Sequence, residues 1–233
     1  YAEQLNLTIH MHLHETQEEI HLSLASHGMR PIARMQNLGV LSPNLIAVHM
    51  IHLSEHEIET MQQFGCHIAH CPSSNLKLAS GFAPVSSVLQ HGINTGLGTD
   101  GAASNNRLDI FEEMRLGALL AKASSGQADT LPAHQALRMA TLNGAIALGL
   151  DHKIGSLKIG KAADIVALDF SDLTLMPCYD PLSHLVYTAG RHHVSHVWVD
   201  GKMLLENGKL TALDIDQLHY RAAWWQERIA TRH

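Results

Sequence analysis

Four short apolar runs, separated by segments of helical length, recur through the first 150 residues of the chain. The runs are rich in apolar and β-branched residues, as strands are, and they cover residues 7–13, 45–50, 66–70 and 93–98. Apolar positions at helical spacing lie between them; residues 58, 61 and 64, for example, follow Ser54, which can cap a helix over 54–64. Strands that alternate with helices predict right-handed βαβ units in a parallel sheet.

The pattern changes after Lys153. Upstream, apolar spacing and terminal Pro or Gly residues predict helices from residue 15 onward and over residues 84–91, 109–122 and 132–148, with a loop at 73–75. Downstream, strands are predicted over 163–169, 194–199 and 202–206, and a helix with one apolar side over 214–228. We therefore divide the chain into a βα part (residues 1–150), a small β module (151–210) and a C-terminal helix (211–233).

Neither part is expected to be self-sufficient. Four βα units do not close a barrel, and a few strands do not complete a sandwich, because sheet edges and apolar faces would stay uncovered. We therefore predict an α/β fold that comprises the C-terminal half of a (β/α)8 TIM-type barrel and part of a small β-sandwich domain. An N-terminal part of the same protein is expected to complete both the barrel and its site.

Composition narrows the class of partner. With 16 basic and 22 acidic residues, a net charge of −6 and no basic run, the chain has no electrostatic footprint for nucleic acid, so a small molecule is the expected partner. No apolar stretch approaches the roughly 20 residues of a membrane span, which argues against a membrane. Three cysteines are too few for a disulfide framework, so a reducing cytoplasm is expected. The 19 histidines indicate a catalytic or metal-binding function.

Polar side chains stand at the ends of the predicted strands. They are His12 with Glu15, His49, His70 and Asp100. Side chains at the carboxyl ends of parallel strands converge on one rim of a barrel, where hydrolytic metal sites are usually built. A carboxylate that ends an apolar strand, as Asp100 does, must be paired, hydrogen-bonded or metal-bound if it is buried. We predict that His12 binds the metal and that Glu15 carries a proton.

Simpler interpretations compete with this one. Strand alternation puts His10, His12 and His14 on one face, and we interpret His10 and His14 as polar residues of the barrel mouth. Residues 66–71 resemble a zinc cluster, but their side chains alternate between faces, so buried cysteines are favoured. His49 is a candidate site residue only because other candidates are expected near it. His52 is interpreted as structural. Residues 73–75 could touch a ligand.

Together these segments resemble the metal-dependent amidohydrolase superfamily, in particular its deaminase branch that acts on S-adenosylhomocysteine and 5′-methylthioadenosine. Residues 10–16, 70–81, 98–106 and 112–115 carry the match, and residues 143–145 and 160–169 resemble the return from barrel to sandwich. The resemblance implies that His12 and Asp100 bind the metal. It further implies that Glu15 is the acid that protonates and contacts the substrate ring and that Asp100 is the water base. By the same resemblance, His49 polarises the attacking water or the intermediate, and Ser104 contacts the substrate.

One family feature is missing. Such enzymes also use a His-x-His pair on the first barrel strand, and we interpret the same spacing at His10 and His12 as accidental, because Glu15 and a later strand-end histidine follow it. The resemblance implies one Zn²⁺ per complete site, or Fe²⁺ in some relatives, and a nucleoside substrate. We also expect a homo-oligomer. The alternatives are a guanine deaminase, a triazine chlorohydrolase, or a non-catalytic metal-binding or assembly protein.

Overall fold

The computed structural model describes residues 1–5 and 7–231. Its first sheet has four parallel strands, hydrogen-bonded in chain order: β1 (Ile9–Leu13), β2 (Leu45–His49), β3 (His67–His70) and β4 (Thr95–Leu97). Ile9 pairs with Leu45, and Ile68 pairs with Thr95. In this sheet β1 and β4 are the edge strands of the described chain. Every residue of β2 is buried, as expected for an inner parallel strand that is covered on both faces.

Eleven α-helices accompany the strands in the described residues. They are α1 (Ala2–Leu5), α2 (Gln17–His27), α3 (Pro31–Asn37), α4 (Glu55–Gln63), α5 (Pro72–Lys77), α6 (Val85–Gln90), α7 (Ile110–Ser125), α8 (Ala133–Met139), α9 (Leu142–Ala147), α10 (Pro181–Tyr187) and α11 (Ile215–Ala230). Two short 3₁₀ helices cover Leu173–Leu175 and Arg191–His193. None of the helices in the described part of the chain is long and apolar enough to cross a bilayer.

Side-chain caps explain where the helices around the sheet begin. Thr16 accepts a hydrogen bond from the backbone N–H of Glu19 at the start of α2. Ser54 and Glu57 form a reciprocal capping box at α4, as the spacing of Ser and Glu predicts. Asp109 caps α7 through the N–H of Phe111. These caps satisfy N–H groups that have no partner inside the helix.

Two clusters of buried side chains form the core. The first joins the parallel sheet to α3 and α4 and includes Ile32, Leu45, Ile58 and Met61. The second lies among α7, α8 and α10; its buried members are Val85, Met114, Ala118, Ala121, Leu131, Ala136, Met139 and Val186. Val186 of α10 thus packs against helices of the first 150 residues, although the sequence division counts α10 with the β module.

The second sheet is antiparallel and also runs in chain order. It comprises β5 (Ile165–Leu168), β6 (Val194–Val199), β7 (Lys202–Glu206) and β8 (Lys209–Leu210). Asp200 and Gly201 join β6 to β7 with positive φ angles of 50° and 76°, as the predicted hairpin turn requires. A parallel and an antiparallel sheet with helices confirm the predicted α/β class. Helix α11 follows with no buried residue.

Two local predictions were wrong, and some short helices were not predicted. The single helix predicted over 132–148 is two helices, because the backbone leaves helical geometry at Thr141 (φ −135°, ψ −93°). The predicted loop at 73–75 lies inside α5, which Pro72 begins by supplying a fixed φ at the first helical position. Helices α3 and α10 were missed, because each is short and its burial depends on packing against distant segments.

Candidate metal centre

Three predicted site residues converge beyond the carboxyl ends of the parallel strands. His12 and His49 lie on β1 and β2, and Asp100 follows β4. One potential ligand atom from each residue lies within 4.8 Å of the other two. The His12 side chain is 53% exposed, so the group opens to solvent rather than being sealed in the core. Among the described residues this is the group of His, Cys, Asp or Glu side chains with the geometry to share a cation.

The distances within the group are close to those of a metal site. Nε2 of His12 lies 3.9 Å from Oδ1 of Asp100. Tetrahedral zinc ligands at bond lengths of about 2.1 Å stand about 3.4 Å apart, so a movement of roughly half an ångström would bring both atoms to a shared ion. The rings of His12 and His49 meet edge to face, with centroids 4.7 Å apart. The donor set therefore fits a cation that prefers nitrogen and oxygen ligands.

Glu15 stands beside both histidines. Its Oε2 lies 4.0 Å from Nδ1 of His12 and 3.7 Å from Nε2 of His49. The turn that carries Glu15 is held by Glu19, whose carboxylate accepts hydrogen bonds from the backbone N–H groups of His14 and Glu15. Glu15 therefore projects from a fixed turn toward the centre, within reach of a molecule bound there.

His49 has one engaged and one unengaged ring nitrogen. The ring is fully buried, and its Nδ1 lies 2.8 Å from Oδ1 of Asn75. With Oδ1 of Asn75 as the acceptor, the proton of this hydrogen bond is on Nδ1, and a neutral ring then has its lone pair on Nε2. That Nε2 has no hydrogen-bond partner among the described residues. A buried acceptor that faces two other potential ligands is the strongest structural sign that the centre takes up a further group.

The backbone at His49 and Asp100 has an unusual conformation. His49 has a φ of 72° and Asp100 a φ of 58°, in the left-handed region that residues other than glycine seldom adopt. Such conformations cost free energy and concentrate at functional sites, where the surrounding structure maintains them. His49 ends β2 and Asp100 lies three residues after β4, and both face the shared centre in this conformation.

Two hydroxyl groups hold the carboxylate of Asp100. Ser74 donates to Oδ2 over 2.7 Å, and Ser104 donates to the same oxygen over 2.5 Å. Burial acts to raise the pKa of Asp100, but the hydrogen bonds from Ser104, Ser74 and the backbone of Gly101 outweigh it and lower the pKa to about 2. Asp100 is therefore a carboxylate at neutral pH, and its Oδ1 faces His12.

A comparison with known protein families now identifies the chain. The family model described as "Amidohydrolase family" matches residues 1–204. The chain belongs to the amidohydrolase family. The resemblance predicted from the sequence is thereby confirmed.

Individual amidohydrolases are similar over the whole chain. A protein of Teredinibacter turnerae named 5-methylthioadenosine/S-adenosylhomocysteine deaminase is 46% identical over 232 residues, which are 100% of this chain and 52% of the relative. The crystal structure of an adenosine deaminase from Xanthomonas campestris with bound zinc superimposes with a TM-score of 0.97 at 47% identity, covering 99% of this chain and 52% of that one. The zinc-complexed atrazine chlorohydrolase TrzN of Arthrobacter aurescens superimposes with a TM-score of 0.90 at 28% identity, covering 95% and 49%. The chain thus spans about half the length of the amidohydrolases it matches.

Three residues support the candidate centre from behind, and the role of each was not evident from the sequence. Ser74 and Asn75 contact Asp100 and His49, whereas residues 73–75 were predicted to touch a ligand. Glu113 of α7 is fully buried and accepts hydrogen bonds from the backbone N–H of Ser73 (3.0 Å) and from Nδ2 of Asn105 (2.6 Å). The acid in an otherwise amphipathic helix was the available signal, since a buried carboxylate needs partners.

The other histidines singled out in the sequence lie apart from the centre. His14 was predicted to share a face with His12, and this was wrong: a φ of 53° turns it into the core, where Ile32 donates to Nε2 and Nδ1 bonds the carbonyl of His52. Burial lowers the pKa of His14. His10 is exposed, and His52 bonds the backbone of Ser80, in keeping with a structural role. His70 is buried beneath the centre.

The cysteines form no metal cluster in the described residues. All three are free, and Cys66 and Cys71 are buried. Burial raises the pKa of the Cys66 thiol to about 11 and, together with the nearby carboxylate of Asp100, that of Cys71 to about 12. Neutral buried thiols agree with the interpretation drawn from strand alternation, since zinc binds the thiolate.

Proposed function

We propose that this chain carries the proton-transfer residues and part of the metal site of a hydrolytic deaminase. The proposed substrate is an adenosine-type nucleoside: S-adenosylhomocysteine, 5′-methylthioadenosine or adenosine. The observation that carries the proposal is the meeting of His12 and Asp100, 3.9 Å apart, with Glu15 within 4.0 Å of His12. Relatives at 46% and 47% identity that are named as deaminases of such nucleosides support the substrate class.

The proposed active site is completed by an N-terminal part of the same protein. The parallel sheet ends in β1 on one side and β4 on the other, and both edges offer unpaired backbone groups within the described chain. Four more strands between these edges would close a (β/α)8 barrel, and the matched relatives have about twice the length. The division at residues 150 and 210 remains a prediction, as does a homo-oligomer.

We propose one Zn²⁺ per complete site, with Fe²⁺ as the alternative in some relatives, held in this chain by His12 and Asp100. Imidazole nitrogen and carboxylate oxygen are ligands that catalytic zinc sites use. When bound, such an ion lowers the pKa of water to about 7 and so supplies a nucleophile at neutral pH. The zinc named with the similar structures supports this choice of metal.

The chain's own residues then divide the proton transfers. Asp100, ionised at neutral pH, accepts the proton of the attacking water, while Nε2 of His49 orients and polarises that water. Glu15 donates a proton to the purine ring nitrogen beside the carbon under attack. Water adds to that carbon and gives one proton to Asp100. The carbon–nitrogen bond to the amino group then breaks, ammonia leaves with the proton that Asp100 accepted, and the remaining hydroxyl proton passes to Glu15 as the carbonyl forms. Ser104 both holds Asp100 and contacts the substrate.

Loss of either proton-transfer group tests these roles. In the complete protein, Asp100→Asn and Glu15→Gln should lower the rate of ammonia release from the three nucleosides by at least about 100-fold, the lower range for general acid–base catalysis. His56→Asn, a change of an exposed histidine on α4, is the matched control and should leave the rate unchanged. Near-normal deamination by either site variant would overturn the assignment.

Substrate panels and metal analysis separate the alternatives. Release of ammonia or chloride from guanine or triazines, with no turnover of adenosine-type nucleosides, would favour the sister hydrolases to which the 28% identical structure belongs. A metal-buffering protein should bind several ions with low selectivity, whereas the deaminase should bind about one. The free cysteines fit a reducing compartment, and we propose the cytoplasm.

A further inference from the structure

The imidazole ring of His70 is buried without a hydrogen-bond partner among the described residues. His70 ends β3, is 3% exposed, and neither Nδ1 nor Nε2 has a hydrogen-bond partner among the described residues. Helix α7 passes close by, and a Cβ at Gly117 would lie 3.8 Å from Cδ2 of His70. A purely structural filler of this space would be apolar, since unpaired buried polar atoms are costly and rare.

The side-chain amide of Asn75 also has a polar atom that lacks a hydrogen-bond partner in the described residues. Its Oδ1 bonds Nδ1 of His49, but its Nδ2, also buried, has no partner in the described residues. His70 and Asn75 line the same small cavity, to which Ser124 adds a third polar side chain. The cavity has a volume of about 10 Å³, which is the room that one water molecule needs, and its polar groups match the two to four partners that a buried water requires.

We propose that this cavity holds one ordered water, which donates its two protons to a ring nitrogen of His70 and to Oγ of Ser124, and so can only accept from the side-chain amide of Asn75. His70 is thereby a positioning residue: it keeps the amide of Asn75 oriented with its oxygen toward His49. That orientation holds the proton of His49 on Nδ1 and the lone pair on Nε2, facing Glu15 and the metal centre. The inference rests on the proposed function only for its effect on turnover.

The hydrogen-bonding properties of His49, Asn75 and His70 explain why the state of His49 depends on His70. Rotation of the Asn75 amide by 180° would place an N–H against Nδ1 of His49 and would move the proton of that ring to Nε2. His49 would then present a donor where the centre needs an acceptor. Burial lowers the pKa of His70 to about 4, so the ring is neutral at physiological pH and offers a lone pair as well as an N–H. A cation there would present donors alone.

The tautomer of His49 provides a test that does not depend on turnover. In the complete, zinc-free protein labelled with ¹⁵N-histidine, the wild type should show His49 protonated on Nδ1. His70→Phe should give a mixture of tautomers, and His70→Gln, which keeps a donor and an acceptor, should restore the wild-type state. An unchanged Nδ1–H tautomer in folded His70→Phe would overturn the proposal. Should His70→Phe fail to fold, the cavity itself decides the matter: a high-resolution crystal structure of the wild type without water between Asn75 and His70 would also overturn it.

Kinetics provide the second measurement. His70→Phe should lower kcat by roughly 10–100-fold, the range for residues that support a metal site from behind, with KM nearly unchanged. His70→Gln should recover most of kcat. If the wild-type protein deaminates no nucleoside, the proposed function fails, while the tautomer and the cavity water still decide the role of His70.

Discussion

Nε2 of His12 lies 3.9 Å from Oδ1 of Asp100, although the two residues belong to opposite edges of a four-stranded sheet. Three strand spacings of about 4.8 Å would separate the edges of a flat sheet by about 14 Å. The two side chains therefore meet through a curved sheet together with the segment that carries Asp100 beyond the end of β4. Such curvature is what the wall of a barrel requires, and it explains how residues so distant in sequence can serve one site.

The first prediction concerns metal content. His12→Ala and Asp100→Asn in the complete protein should each lower bound zinc from about one ion per chain to a small fraction, because each change removes a proposed ligand. Elemental analysis after dialysis against a buffer with trace chelator measures this. His56→Ala, which removes an exposed histidine of α4, is the control and should retain the ion. Full occupancy in both site variants would exclude them as ligands.

The second prediction contrasts two glycines in one contact. A Cβ at Gly96 of β4 would lie 3.2 Å from Cα and 3.3 Å from N of Gly144 in α9, and this backbone cannot yield without moving the helix. Gly96→Ala should therefore destabilise the protein by about 1–3 kcal/mol, the usual cost of overpacking. Gly144→Ala meets nothing within 4 Å and should be neutral or stabilise the helix by about 0.5–1 kcal/mol. Denaturant unfolding measures both, and equal effects would contradict the contact.

The third prediction is a pH dependence of stability. Glu57 accepts two hydrogen bonds of 2.8 Å from Nε and Nη2 of Arg30. Burial acts to raise the pKa of Glu57, but the bonds from Arg30 and from the backbone of Ser54 outweigh it and lower the pKa below the ordinary 4.5. A depressed pKa in the folded state contributes stability above pH 4.5 and loses it as the pH falls through the folded-state value.

Glu57→Gln should therefore lower the free energy of unfolding by about 1.5–3 kcal/mol at pH 7, the range for hydrogen bonds to charged groups. The difference from the wild type should shrink as the pH falls below 4.5. Glu59→Gln, an exposed change on the same helix, should have little effect at either pH. A Glu57→Gln deficit of equal size at pH 3 and pH 7 would argue against the ion pair.

The fourth prediction concerns thiol reactivity. Cys178 is exposed, whereas Cys66 and Cys71 are buried and have pKa values raised to about 11 and about 12. A thiol reagent at pH 7.5 should modify Cys178 rapidly in the native protein and the other two only after unfolding, because the thiolate is the reactive form. Peptide mapping by mass spectrometry identifies the modified residues. Fast labelling of Cys71 in the native protein would show that the buried region around this residue becomes accessible to the reagent.

The main strands and the parallel sheet were accessible from the sequence, and the supporting contacts were not. β6 and β7 have the predicted bounds, because alternating apolar residues around an Asp-Gly turn are a strong local signal. His12, His49 and Asp100 could be selected because strand ends converge. The left-handed backbone of His14 broke the alternation argument, since a single residue with positive φ sends the following side chains to other faces.

Contacts behind the site depend on distances that local patterns do not encode. Asn75 reaches His49 across 26 positions in sequence, and Glu113 reaches Ser73 across 40. The residues 73–75 were recognised as important because they follow a strand end, but their partners could not be inferred. The break at Thr141 also escaped prediction, because apolar spacing continues through it while the backbone turns.

The double contact of Glu113 has a mechanical consequence. One carboxylate binds both the start of α5, which carries Ser74 and Asn75, and Asn105 in the segment after Asp100. The start of α5 and the segment after Asp100 are therefore both hydrogen-bonded to the same buried side chain, and we expect them to move together. A molecule that binds at the centre therefore meets two segments that are already held in place. Heat or a mutation that unfolds one of these segments is expected to unfold the other with it.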